Sequence, residues 1–130
     1  MVSLDTNVVV RLLTNDDARQ VKKARNVLIQ NDVYLSKTVL LECFWVLTYT
    51  YELSTKVAIE SLLQLISLSN VTLENNSVII EALDLARQGM DFADALHLLS
   101  SPSAKKLATF DKRFIKIAKK LNTKIQVFSP

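Results

Sequence analysis

Val2-Ser3-Leu4-Asp5-Thr6-Asn7 is the stretch on which the reading of this chain turns. A short apolar run ends at an acid, a hydroxyl and an amide, and Val8-Val9-Val10-Arg11-Leu12-Leu13 follows at once with a helical pattern. The run is expected to be a buried strand with a carboxylate at its C-terminal tip. In an open parallel sheet, that tip is where ligands and reacting groups gather. Asp5 at such a junction reads equally well as a ligand or as the N-cap of the next helix.

The alternation continues along the chain. Asp16-Asp17 opens a second helix whose apolar positions Ala18, Val21, Ala24 and Leu28 recur at helical spacing. Asn31-Asp32 breaks it, and Val33 to Ser36 forms a second short strand. An apolar helix runs from Thr38 to about Tyr51, Glu52-Leu53-Ser54 turns the chain, and Ser54 caps a helix reaching about Leu68 with Ala58, Leu62, Leu65 and Ser69 as its stripe. Val71-Thr72-Leu73 is a minimal strand, and Asn75-Asn76 restarts a helix with Val78, Ala82, Leu85 and Ala86 inward. Gly89, the only glycine, sits where a helix C-terminus needs one. A helix from Asp91 ends before Pro102, Leu107 to Phe110 is a fourth strand, Asp111 to Lys120 a last helix, and Ile125 to Phe128 a fifth strand. Strands alternating with helices predict an α/β sandwich around a parallel sheet, in one domain over residues 1–130.

Composition narrows the function classes. The most apolar stretch, Thr38 to Tyr51, is interrupted by Glu42 and falls short of the roughly 20 residues that span a bilayer. No membrane association and no basic–apolar–small leader is expected. The lone cysteine, Cys43, leaves no partner for an internal disulfide, which points to a reducing, cytoplasmic setting. The net charge of +3 hides an asymmetry: from Ser103 onward there are eight basic residues and one acid, whereas residues 1–102 hold eight bases and twelve acids. A basic surface beside an acidic region suits a polyanion held by lysines and cut at carboxylates, although a Lys-rich end also reads as a solvated helix face.

The acids carry the chemistry. Glu42 lies inside Val39-Leu40-Leu41-Glu42-Cys43-Phe44-Trp45-Val46-Leu47, where almost every helix face is apolar. A carboxylate buried there needs a cation, metal or arginine, since an unpaired one costs several kcal/mol; the alternatives are a Glu on the one solvated edge or one paired with a structural Arg. Asp91-Phe92-Ala93-Asp94 opens a helix, and taken alone it reads as a cap and a first-turn acid. Asp111 follows a strand and could cap the next helix. Asp5 and Asp111 fall at strand C-terminal ends, and Glu42 and Asp94 in early helical turns. In a parallel sheet these four are expected on one edge, where they would repel unless a divalent cation sat among them. Oxygen-only donors suit Mg²⁺ or Mn²⁺, and a chain with one Cys and one His offers no zinc set. His97 receives no role, and a single glycine excludes a glycine-rich phosphate loop.

These segments together resemble a PIN domain, in particular a VapC-type toxin ribonuclease. Asp5-Thr6-Asn7 after the first strand resembles the family's opening, and Glu42 on an apolar helix after the second strand its second acid. Asp91-Phe92-Ala93-Asp94-Ala95-Leu96 resembles the helix-start motif, with Asp94 as the third acid. Leu107-Ala108-Thr109-Phe110-Asp111-Lys112-Arg113-Phe114 resembles the closing segment, with Asp111 as the fourth. The resemblance spans essentially the whole chain. It implies a three-layer sandwich with a central parallel five-stranded sheet, and Mg²⁺- or Mn²⁺-dependent endonucleolytic cleavage of RNA. It further implies that Asp5, Glu42, Asp94 and Asp111 hold one or two metal ions, that Asn7 orients Asp5, that Thr109 positions water or phosphate, and that Asp91 takes an outer part. By the same resemblance the chain forms a homodimer and is silenced by a VapB-like antitoxin. Glycine is scarcer than the family pattern leads one to expect. Two other readings stay open: an acidic Mg²⁺-dependent α/β phosphotransfer or phosphatase domain, and a PIN-like module that binds RNA or protein without cutting.

Overall fold

Short polar side chains at the strand–helix junctions set where the helices begin. The computed structural model describes every residue from Met1 to Pro130. In chain order the elements are β1 (Val2–Ser3), α1 (Thr6–Leu13), α2 (Ala18–Gln30), β2 (Val33–Leu35), α3 (Lys37–Trp45), a π-helical turn (Val46–Thr50), α4 (Thr55–Ile66), β3 (Val71–Leu73), α5 (Asn76–Arg87), α6 (Phe92–Leu99), β4 (Lys106–Ala108), α7 (Lys112–Leu121) and β5 (Gln126–Phe128). Asp17 accepts from Gln20 N at 3.0 Å, Ser36 from Val39 N at 3.2 Å and Ser54 from Val57 N at 3.2 Å. Each bond satisfies an amide that the first helical turn leaves without a partner, a cap worth about 1 kcal/mol.

The chain forms two compact units, Met1–Asn76 and Ser77–Pro130. In the first, β1, β2 and β3 pair in that order, all parallel, with Val33 opposite both Val2 and Val71. In the second, β4 and β5 pair in parallel, Lys106 opposite Gln126 and Ala108 opposite Phe128. The expected α/β class with parallel strands is therefore present, its five strands laddered as three and two. No helix is long and apolar enough to cross a membrane.

Within the first unit α1 packs on α2 and α3, and α4 on β3 and α3. Val9, Val33, Leu35, Leu40, Leu47 and Leu62 are wholly buried, each such side chain contributing about 1.5–3 kcal/mol over its exposed state. A polar clasp closes this unit at the far end of α1. Arg11 Nε donates to Gln20 Oε1 at 2.6 Å, and its Nη1 donates to Asp16 Oδ1 at 3.2 Å and to Tyr51 Oη at 3.1 Å. Tyr51 Oη in turn donates to Asp16 Oδ2 at 2.6 Å. In the second unit α7 packs on β5; it buries Phe114 and Ala118 and leaves Lys112, Arg113, Lys116, Lys119 and Lys120 exposed. The basic end of the sequence is thus a solvated helix face. Gly89 ends α5 at φ +115°, a conformation that a side chain strains, with Met90 N donating to Leu85 O at 3.1 Å.

Four local expectations are corrected. The first strand is not buried: Val2 and Ser3 are exposed and Leu4 carries the burial, because β1 is an edge strand paired only with β2. The helix expected from Thr38 to Tyr51 gives way to a π turn at Val46, closed by Tyr51 N donating to Val46 O at 3.1 Å. Val46, Thr48 and Thr50 are β-branched, and the Thr48 hydroxyl donates back to Phe44 O at 2.9 Å, both of which loosen an α turn. On α5 Ala82 and Ala86 are buried as expected, together with Ile79 and Leu83, while Val78 and Leu85 are only half-buried. The α4 stripe holds at Ala58, Leu62 and Leu65, and Ser69 lies exposed beyond the helix end.

Candidate functional site

Each unit brings together two of the four expected acids. In the first, Asp5 follows β1 and occupies the N-cap position of α1, with extended backbone at φ −82° and ψ 162°. Its carbonyl accepts from Val8 N at 3.1 Å and Val9 N at 3.2 Å, but its carboxylate makes no capping hydrogen bond. The carboxylate is exposed and keeps its lone pairs for other work. Thr6, the next residue, donates through Oγ1 to Glu42 Oε2 at 3.3 Å.

Glu42 itself is exposed, not buried as its sequence neighbours suggest. The apolar side chains around it divide between the two faces of α3: Leu40, Cys43, Phe44 and Leu47 point into the core, and Glu42 stands on the solvated edge. The desolvation argument for a cation at this residue therefore lapses, and what singles Glu42 out is its position. Its neighbour Cys43 is buried, and the Cys43 Sγ donates to Thr6 O at 3.8 Å. Burial pushes the Cys43 thiol up to about 12, and the negative charges of Glu42 and Asp5 add to the shift. Both carboxylates therefore lie within electrostatic reach of one sulfur. Asn7 is exposed in the first turn of α1 and lines a pocket of about 280 Å³ with Arg11, Gln20 and Lys23; no hydrogen bond joins it to Asp5.

In the second unit the caps are real. Asp91 Oδ2 accepts from Asp94 N at 3.2 Å at the start of α6. Asp111 Oδ1 accepts from Arg113 N at 2.9 Å and Phe114 N at 3.2 Å at the start of α7. Thr109, after β4, accepts through Oγ1 from Asp111 N at 3.1 Å, and its own N donates to Phe128 O at 2.9 Å. Thr109 thus ties Asp111 to β5. Asp94 caps nothing. It is half-buried, and its carboxyl is raised above the ordinary value of 3.8 by burial first, then by the charges of Asp91 and Asp111, with His97 opposing. Three acids of this unit therefore share one field, and Asp94 bears its cost.

Two participants escaped the sequence reading. Thr6 holds Glu42, and the signal was its place between Asp5 and Asn7. His97 lies one helical turn after Asp94 and acts on its charge, a consequence of the i,i+3 spacing. In neither unit do three Asp, Glu, His or Cys side chains form a ready metal cage. The donors present are hard oxygens in like-charged sets, which fits Mg²⁺ or Mn²⁺ in chemistry.

A family model for the PIN domain matches residues 2–120. No curated protein matches in sequence. Among solved structures, the Mycobacterium tuberculosis VapC20 toxin, a Sarcin-Ricin loop cleaving toxin, is 18% identical, with 88% of this chain and 92% of that chain covered and a TM-score of 0.45.

Proposed function

We propose that this chain, which belongs to the PIN domain family, is a metal-dependent endoribonuclease folded as one PIN domain over residues 1–130. The observation that carries this reading is that acids far apart in sequence act on common groups, Asp5 and Glu42 on Cys43 and Asp91 and Asp111 on Asp94. Asp5 and Asp94 are spared from capping and so are available as ligands. In this reading Asp5, Glu42, Asp94 and Asp111 hold Mg²⁺ or Mn²⁺. Thr6 fixes Glu42, Thr109 holds the backbone amide of Asp111, and Asp91 caps the helix that presents Asp94.

A bound divalent cation supplies Lewis acidity toward a phosphodiester and makes water a better nucleophile near neutral pH. The protein's own part is to place that charge. Thr6 holds the Glu42 carboxylate and the first turn of α7 holds that of Asp111, so a cation bound beside them would relieve the repulsion from Asp5 and Asp94. Lys112, Arg113 and Lys116 offer phosphate contacts, which would make RNA affinity fall as salt rises. The reading extends to a cytoplasmic toxin that dimerises and is neutralised by a VapB-like antitoxin. Coexpression with the product of a neighbouring small gene would restore growth to cells that this chain arrests.

The direct test incubates purified protein with structured RNAs, with and without Mg²⁺ or Mn²⁺, beside Asp5→Asn and Asp94→Asn. Metal-dependent cutting by the wild type alone is expected. Equal cutting by all three proteins would trace the activity to a contaminant and end the assignment.

A further inference from the structure

The face of α3 that carries Glu42 continues into the π turn, and the two together carry two aromatic side chains that the core does not use. Thr38, Glu42, Trp45 and Tyr49 follow one another at spacings of four, three and four, and all are exposed. The opposite face, with Leu40, Cys43, Phe44 and Leu47, is buried. Trp45 is 41% exposed and Tyr49 78%, and no hydrogen bond engages the indole N–H or the Tyr49 hydroxyl. The π turn starts immediately after Trp45. A turn closed by an i→i+5 bond holds more residues than an α turn, so side chains four apart stand nearer to one line along the axis.

We infer that Trp45 and Tyr49 form a stacking platform for the bases of single-stranded RNA, set on the helix that presents Glu42. The inference rests on the ribonuclease reading and adds to it the form of the substrate and the residues that seat it. Along the helix axis Trp45 lies about 4.5 Å and Tyr49 about 10 Å from Glu42, at about 1.5 Å per residue. That is the reach of roughly one to three nucleotides at a stacked spacing of about 3.4 Å. Every base has a π face, and an unpaired nucleotide offers it to an aromatic ring without regard to sequence.

The composition of the stripe favours this occupant over a second copy of the chain. The aromatics are flanked by Thr38, Glu42, Thr50 and Glu52, all exposed. A stable protein interface buries about 800 Å² on each partner around a core depleted of charge, and here it would desolvate Glu42 and Glu52. A strand of RNA stacks on the rings and leaves the polar gaps in water.

Trp45 is the only tryptophan of the chain, so its emission reports this face alone. The protein is titrated in EDTA, where cutting is blocked, with single-stranded oligonucleotides about ten residues long, with the same sequence as a duplex, and with inorganic polyphosphate. Emission is expected to fall by at least a third with the single strand and to stay flat with duplex and polyphosphate. Tyr49→Ala, at a position too exposed to disturb the fold, should weaken single-strand binding about tenfold, and Trp45→Phe should keep most of it by fluorescence anisotropy of labelled RNA. Emission unmoved by single strands overturns the platform, as does equal quenching by polyphosphate. So does a blue shift that follows protein concentration together with self-association, which would assign the face to a second copy. RNA cleavage that persists at full rate in Tyr49→Ala and Trp45→Ala would sink the platform and spare the ribonuclease reading. Quenching by single strands without cleavage under any divalent metal would do the reverse.

Discussion

Thr6 Oγ1 donates to Glu42 Oε2 across 3.3 Å, so the residue directly after Asp5 steadies the acid that α3 presents. Partners of metal-holding carboxylates are worth about 10- to 100-fold in metal affinity, and the length and exposure of this bond place it at the low end. Thr6→Val keeps the shape and removes the donor. The apparent Mg²⁺ affinity, read as the metal-dependent rise in melting temperature, should fall about tenfold, with the metal-free melting temperature nearly unchanged. A metal titration indistinguishable from wild type would leave Glu42 without a supporting role for Thr6.

Asp94 links stability to pH in an unusual direction. Its carboxyl is raised from 3.8 in the folded protein, so over the window above that value the folded chain binds more protons than the unfolded one. Stability contributed by this group is full below the unfolded value and is lost as pH rises through the folded one. Wild type should therefore lose stability relative to Asp94→Asn as pH climbs from 4 to 7 in metal-free buffer. Mg²⁺ should recover the loss in wild type and stabilise the variant less. Parallel pH profiles for the two proteins would remove the charge conflict from the account.

Asp16 behaves oppositely. The hydrogen bond from Tyr51 is the main force holding its carboxyl below 3.8, helped by Arg11 and Thr14 against some desolvation. The stability it confers is present above the unfolded value and disappears as pH falls through the folded one. Tyr51→Phe should lower the neutral-pH melting temperature and flatten the acid side of the profile. An acid limb as steep as wild type would mean that other carboxylates govern it.

Cys43 is buried, and its thiol stands at about 12. Near pH 8 only ~10⁻⁴ of it is thiolate, the nucleophilic form. A disulfide reagent should label the native protein several orders of magnitude more slowly than the urea-unfolded chain, with a rate that tracks opening. Prompt native labelling would contradict the burial of Cys43.

Periodicity and junction chemistry carry most of the fold in this chain. Ser54 and Gly89 mark their helix ends as written, and the strands at Val33 and Val71 fall where short β-branched runs meet Asn and Asp. Burial is harder to read from neighbours. Leu41 and Val46 beside Glu42 suggested an apolar environment, yet only one face of α3 enters the core, and Glu42 lies on the other. The site is half legible for a related reason. Asp91 and Asp111 have the residue type and place of caps and are caps, whereas Asp5 has the same place and caps nothing. The Thr6 hydroxyl reaches Glu42 across 36 residues of sequence, a contact that spacing does not encode.

The π turn at Val46–Thr50 fits one residue more into its loop than an α turn does. Threading the same residues through an ordinary α-helix would rotate all that follows by about 100°. Glu42 would keep its place at the N-terminal side, but Tyr51 would swing away from Asp16 and Arg11. The single extra residue therefore works as a phase adjuster. It lets one helix present an acid to one set of partners and a phenol to another, two requirements that a regular α-helix from Thr38 to Tyr51 could not meet together.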